Sequence, residues 1–242
     1  MAPDDLAGAV SEAAAREAFA ASLVDADDPG DALTRFYFCF YPRGRRRLAT
    51  VERDGQRGAA AKADTEHDDV PLVVVRAPTA AMFGELLRTV CEPGLLYLFI
   101  VRAADADLLR AAVADRRDEQ TNLIYSLARS DFRDSPFAAC YRYDKGELFG
   151  YRAYTGEVPV SSCSLIWASD RFAEIAVATR EDYRGRGFGR AAVAALTREI
   201  LAAGVTPLYV VSEANTASRR LAESLGYRLT GATGFSCYGT LI

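Results

Sequence analysis

The stretch Arg184-Gly185-Arg186-Gly187-Phe188-Gly189-Arg190 concentrates the chemistry of this 242-residue chain. It sits between an apolar, strand-like segment, Phe172–Thr179, and a helix predicted from about 188 to 203. Glycines let a backbone approach a ligand closely, and the first turn of a helix offers unpaired N–H groups and the positive end of a dipole. Arg184, Arg186 and Arg190 add positive charge around the same turn. The ligand suited to such a site is a di- or polyphosphate; a turn built only for tight packing is the plain alternative. Two other phosphate motifs do not fit. No Gly-Lys-Ser/Thr follows, so this is not a Walker loop. The dinucleotide spacing G-x-G-x-x-G fails because the third glycine comes one residue early and Arg190 holds its place. Glu213 imitates the ribose-binding acid of that motif, but the chain ends too soon after it to complete a doubly wound sheet.

Proton transfer has few sources. The chain has one histidine, His67, inside the acidic run Asp64–Asp69, where it reads as a solvated loop residue. Sites needing two histidine ligands are therefore excluded, and no metal site is expected. The five cysteines are odd in number and form no C-x-x-C pair, which argues against a zinc ribbon and a disulfide framework. A carboxylate raised in pKa by burial is the remaining base. Glu174, on the strand before the glycine turn, is the candidate. Ala176 and Ala178, its alternation partners, are small and leave room beside it. A carboxylate facing solvent or pairing with an arginine is the other reading of Glu174.

These residues must be positioned by a folded, water-soluble chain. Hydrophobic residues make up 50% and charged residues 26%, the balance of an ordinary globular protein. A net charge of -4 excludes a long nucleic-acid footprint. The charge is uneven, however. The first 120 residues carry 15 basic and 21 acidic side chains, the remainder 14 and 12. The longest strongly apolar run, Leu95–Val101, is too short to span a bilayer, and the N-terminus lacks a basic leader, so a cytoplasmic protein without membrane contact is expected.

The first half reads as α/β. A helix is predicted over 8–23, a strand over Arg35–Tyr41, a basic turn over Pro42–Arg47 and a mobile loop over 54–70. A strand over Pro71–Arg76 precedes a helix with Met82, Phe83, Leu86, Leu87 and Val90 on one face. A buried strand follows over Leu95–Val101, then a helix capped by Asp105 and a strand over Asn122–Leu127. The second half reads as three antiparallel strands, 147–154, 158–167 and 172–179, followed by the glycine turn and its helix. A strand over 208–211, a helix over 215–225 and two short strands finish the chain.

The second half resembles the GNAT acyltransferase superfamily. Its coenzyme A motif, Arg/Gln-x-x-Gly-x-Gly/Ala, stands here as Arg184–Gly189. The segment from Glu174 to Tyr183 is similar to the family's central strand and linker, and Asn215-x-x-Ser218 through Leu225-Gly226-Tyr227 to its last signature. The Glu-Ile-x-x-x-Thr strand and Asn-x-x-Ser helix look most like a bacterial branch that includes antibiotic self-resistance acetyltransferases. The resemblance covers about 147–242. It implies a splayed, mixed α+β sheet with flanking helices over 131–242. The preceding α/β region over 1–130 has no assigned role and is not explained by the resemblance; a degenerate acyltransferase-like half is one reading of it. The resemblance implies acetyl-CoA as co-substrate and an acetyl group moved to the amine of a small molecule, by a monomer or homodimer. Backbone groups of Val177, Ala178 and Thr179 would hold the pantetheine arm. The turn Arg184, Gly185, Arg186, Gly187, Phe188, Gly189 and Arg190 would hold the pyrophosphate, and Asn215 would reach the pantetheine. Glu174 would be the base. Many members carry a tyrosine general acid where this chain has Ala222; Ser218, one helical turn earlier, is the substitute. That departure motivates a second reading, an acyl-CoA-binding sensor without turnover. A Rossmann-type nucleotide enzyme is the third.

Overall fold

The computed structural model describes residues 3–65, 70–146 and 148–242, so His67 lies outside the described residues. The chain forms two compact units, one of residues 1–121 with 233–242 and the other of residues 122–232.

The first unit begins with α1 (Pro3–Ala21), α2 (Ala32–Arg35) and a wide helical turn, Phe36–Phe40. Strands β1 (Arg46–Arg53), β2 (Gln56–Ala63) and β3 (Leu72–Arg76) lead into α3 (Ala80–Val90) and β4 (Leu96–Arg102). Then come α4 (Ala106–Ala112) and β5 (Val113–Ser126), whose last residues belong to the second unit. β1, β2 and β3 pair antiparallel in series, and β3 pairs parallel with β4. The core packs Phe83, Leu86, Leu87 and Val90 of α3 against Val73, Val75, Tyr97, Phe99 and Val101. All five apolar residues assigned to one face of α3 are buried.

Three expectations are corrected in this unit. The aromatic run Arg35–Tyr41 is helical rather than extended. The Tyr41 N–H donates to the Phe36 carbonyl at 2.9 Å, and the turn sets the Phe36 ring edge-on to those of Tyr37 and Tyr41. Consecutive Tyr37 and Phe38 are both buried, which a one-sided strand does not allow. The polar, small-residue stretch from 54 is not a loop but a hairpin. Asp54 and Gly55 both have positive φ, 51° and 73°, as the tightest hairpin turns require. The small residues of β2 serve close packing, since a Cβ on Gly58 would come within 3.0 Å of both the Arg76 carbonyl and Leu86. Asp105 precedes α4 without capping it; its carboxylate accepts from Arg76 at 3.1 Å. In the basic turn, Arg43 and Arg46 both pair with Glu17.

The second unit contains β6 (Cys140–Lys145), β7 (Leu148–Thr155), β8 (Val158–Ala168) and β9 (Phe172–Thr179), paired antiparallel in series. Helix α5 (Phe188–Ala202) connects β9 to β10 (Thr206–Ser212), which lies parallel to β9. Residues 122–126 of β5 pair antiparallel with the far edge of β10. Helix α6 (Thr216–Ser224) and β11 (Arg228–Leu241) finish the chain, with residues 233–241 in the first unit, where Gly234–Thr240 pair antiparallel with β4. One continuous strand therefore replaces the two short ones expected at the end. Strand β6 was not expected at all, because its sequence, Cys-Tyr-Arg-Tyr-Asp-Lys, carries no apolar face. The core gathers Ala192, Val193, Leu196 and Ile200 of α5 with Ile175, Tyr209 and Val211 and with Ala222 and Leu225 around α6. With one parallel pair among antiparallel ones, the second unit is not a doubly wound sheet.

Candidate active site

The glycine turn forms because β9 ends against a position only glycine can fill. After Thr179 the chain makes one short turn, Glu181–Tyr183, and Gly185 and Gly187 take φ of +73° and +87°. Gly187 begins α5 with no side chain to cap it. The first α-helical bond is Ala191 N–H to the Gly187 carbonyl, at 3.0 Å. The amides of Phe188, Gly189 and Arg190 precede it and point out of the helix end. A Cβ on Gly189 would stand 2.8 Å from Thr179 Oγ1 and 3.2 Å from Leu221. That contact seats the helix start on the end of β9. Arg184 and Arg186 are exposed at the turn. The Arg184 Nε donates to the Thr179 carbonyl at 3.3 Å, and the Arg186 guanidinium lies 5.4 Å from the Tyr183 ring centre. Arg190 turns away toward the end of α6, donating to the Ser224 carbonyl at 3.4 Å. A shallow cavity of about 320 Å³ follows the outer ends of β8 and β9, lined in part by Ser161, Ser162, Ala178, Thr179 and Arg180.

Strands β9 and β10 separate beside this turn. Their parallel register runs from Phe172↔Thr206 to Ile175↔Tyr209 and stops. Beyond it, Ala176–Thr179 pair only with Ser161–Ser164 of β8, and Val210–Ser212 only with β5. The inner edges of the two strands thus present backbone groups to a gap, as a strand-like ligand requires. Ala176 and Ala178 are exposed along it.

Glu174 lies one residue before the gap opens. Its carboxylate accepts a hydrogen bond from the Trp167 indole N–H at 2.7 Å. Burial pushes its pKa up to about 7, and the Trp167 bond partly opposes that rise. Alternation places Glu174 on the face of β9 shared with Ala176 and Ala178, opposite the α5 core that holds Ile175. On that core face, Tyr209 and Ser218 share a hydroxyl hydrogen bond of 2.7 Å. Desolvation pushes Tyr209 up to about 12, so it keeps its proton at neutral pH. The Asn215 side chain caps α6 by accepting the Ser218 N–H at 3.1 Å, and Ala222 is fully buried. The structure thus gathers Glu174, Val177, Ala178 and Thr179 on one strand, residues 184–189 at its end, and Asn215 with Ser218 on the facing helix. Arg190 stands apart from the exposed side of the turn.

Two residues escaped the sequence reading. Trp167 could have been found by counting outward from the Ser169-Asp170 turn, because Ala168↔Ala173 and Trp167↔Glu174 are the first pairs of that hairpin. Tyr209 carried no signal beyond a place in an apolar strand. Among the described residues there is no cluster of metal-binding side chains and no helix long and apolar enough to cross a membrane. All five cysteines are free.

Residues 112–235 match the GNAT acetyltransferase family. No curated protein matches the chain. Among solved structures, the fold is similar to a GCN5-related N-acetyltransferase from Kribbella flavida, at 15% identity over 81% of this chain and 90% of that one, with a TM-score of 0.62. A GCN5-related N-acetyltransferase-like protein from Streptococcus suis is 20% identical over 87% and 98%, with a TM-score of 0.58. A tandem GNAT protein from the clavulanic acid biosynthesis pathway is 11% identical over 83% and 85%, with a TM-score of 0.51.

Proposed function

Because the chain belongs to the GNAT acetyltransferase family, we propose that it carries the acetyl group of acetyl-CoA to the amine of a small molecule, in the cytoplasm and within one ternary complex. The observation that carries this reading is the end of β9–β10 pairing at Ile175 and Tyr209, beside a half-buried carboxylate and before a glycine turn. The pantetheine arm lies along Val177, Ala178 and Thr179. Its pyrophosphate meets the amides of Gly185 to Gly189 with Arg184 and Arg186 beside them, while Arg190 buttresses α6. A strand amide near Val177 polarises the acetyl carbonyl.

The two faces of β9 divide the proton work. The amine nitrogen attacks the thioester carbon as its proton passes to Glu174, directly or through water. The carbon–sulfur bond then breaks, and the thiolate takes a proton from water, directly or relayed through the Ser218 hydroxyl, which regains its own proton from that water. A pKa near 7 lets Glu174 accept a proton at neutral pH. Asn215 holds the start of α6, and with it Ser218, in place. The first unit, whose elements from β1 to α4 repeat the order of β7 to α6, is a degenerate acyltransferase-like half without a coenzyme site.

Coenzyme A release measured against a panel of amines tests the reading. Glu174→Gln should leave acetyl-CoA affinity within about twofold and lower kcat about 100-fold, the scale of general-base catalysis. Tight acetyl-CoA binding with no turnover on any amine would replace the enzyme by a sensor.

A further inference from the structure

Strand β8 carries a bulge across from Glu174. Counted from the hairpin turn, Ala168 faces Ala173 and Trp167 faces Glu174; the register then shifts, and Leu165 faces Ile175. Ile166 is the extra residue. Residues two apart on a regular strand share a face, but one inserted residue sends Leu165 and Trp167 to opposite faces. Leu165 joins the core against α5, where Ile175 sits. Trp167 lies on the other face with Glu174, its ring fully buried and its N–H spent on the Glu174 carboxylate at 2.7 Å. The chain's only tryptophan therefore stands directly across from Glu174, with its donor within reach of that carboxylate.

We infer that Trp167 is a positioning residue for the acetyl-transfer base: its indole N–H fixes the direction of the Glu174 carboxylate and holds it in the ionised form that accepts the amine's proton. The inference rests on Glu174 being that base. A carboxylate in an apolar site without a donor stays protonated well above neutrality. An indole N–H donates and never accepts, so it stabilises the charged carboxylate more than the neutral acid. Among the described residues, Trp167 is the group whose hydrogen bond lowers Glu174. On β8 its neighbours are Ile166 and Ala168, and on β10 its register partner is Leu208. The charged residues of α5 lie toward the opposite face and have their own partners, Arg190 with Ser224, Arg198 with Asp134 and Glu199 with Arg142 and Tyr151. Burial raises Glu174 and the Trp167 hydrogen bond lowers it, with no charged group contributing.

The test compares three full-length proteins: native, Trp167→Phe, and native sequence carrying a benzothiophene analogue of tryptophan at position 167. The analogue keeps the shape of the indole and lacks its N–H, so it guards against a packing defect in Trp167→Phe. The Glu174 carboxyl is titrated by carbon NMR, with Glu174→Gln assigning the signal, and kcat/KM is followed from pH 5.5 to 9.5. Both altered proteins should show Glu174 titrating about one unit higher or more. The acidic limb of kcat/KM should move with it, giving roughly tenfold loss at pH 6.5 that recovers by pH 9. An unmoved Glu174 titration in the analogue protein overturns the inference, as does a uniform loss of rate at every pH. If the titration moves while Glu174→Gln retains full turnover, Trp167 still sets the carboxylate's charge, and the assignment of Glu174 as base is what fails.

Discussion

The two units use one element order and differ at the place where it becomes a site. From β1 in the first unit and from β7 in the second, each has three antiparallel strands, a helix leading to a strand parallel to the third, a short helix and a last strand; the second unit adds β6 beside β7. In each, the last strand comes from the other half of the chain: the end of β11 lies on β4, and the end of β5 lies on β10. The divergence begins past the parallel pair. In the second unit, four residues of β9 run on without β10, with exposed alanines along them and an uncapped helix start after a glycine turn. In the first unit, pairing stops at Val74↔Ile100, and the strand ends are locked. Asp31, almost wholly buried, pairs with both Arg76 at the end of β3 and Arg102 at the end of β4, and Asp105 adds a bond to Arg76. The following helix is capped by the Thr79 hydroxyl, which accepts the Met82 N–H at 3.3 Å. The same framework thus yields an open edge in one unit and an ion-paired seam in the other. Those side chains, rather than the strand order, are what distinguish the two units.

Breaking the seam should have the largest effect. Asp31→Ala leaves Arg76 buried with half of its partners, and the loss of one member of a buried ion pair costs about 3–5 kcal/mol. Urea unfolding should show that loss, while calorimetry shows one acetyl-CoA per chain at unchanged affinity. A native chain that binds two equivalents would erase the distinction between the units.

Closing the open site comes next. Gly187→Glu forces a side chain onto a backbone with φ of +87° and puts negative charge at the helix start, next to Phe137. Acetyl-CoA affinity should fall about 100-fold, or ~2.7 kcal/mol. Native affinity in a folded variant would remove the turn from the site.

Glu174 sharpens the contrast through pH. Its folded pKa, about 7, is above the ordinary 4.5, so between those values the folded chain holds the proton more tightly than the unfolded one. Stability contributed by this group is full below pH 4.5 and falls as pH rises through 7. Glu174→Gln should therefore match native stability at pH 4 and exceed it by about 2 kcal/mol at pH 8, a figure reduced for the group's partial exposure. A thermal-denaturation series across that range checks the crossover.

How much of this was legible in the sequence follows from the range of the interactions. Local signals carried well. The periodicity of Met82 to Val90 gave α3, the glycine turn gave the start of α5, and the stretch from 172 to 179 gave β9 with both ends correct. Long-range compensation did not carry. Asp31 and Arg76 are 45 residues apart, and nothing near either announces a buried pair. The Ala-rich β2 looked like a loop because its neighbours, not its own side chains, supply the apolar cover. The exchanged last strands were invisible for the same reason. Strands β5 and β11 are each fourteen residues long, and the registers of their ends are set by β10 and β4, far away in sequence. At the site, Glu174 and the turn were readable as types at a spacing, whereas Trp167 needed the hairpin register.

The smallest effect probes the capped helix. Thr79→Ala removes the one side chain that satisfies an amide at the start of α3, and loss of a threonine cap costs about 1 kcal/mol. The change exposes N–H groups at a helix start that, like α5, follows the last strand before a parallel partner. If an uncapped helix start were enough to make a phosphate site, Thr79→Ala would gain measurable acetyl-CoA binding in the first unit. The expected result is none. Ala77 and the cap position itself stand where the second unit has Gly185 and Gly187, so the backbone cannot approach a phosphate as a glycine turn does, and no exposed arginine stands in that turn to attract one. Urea unfolding should register the lost cap, and calorimetry should still count one coenzyme per chain. A second equivalent would mean that the cap alone had kept the first unit closed.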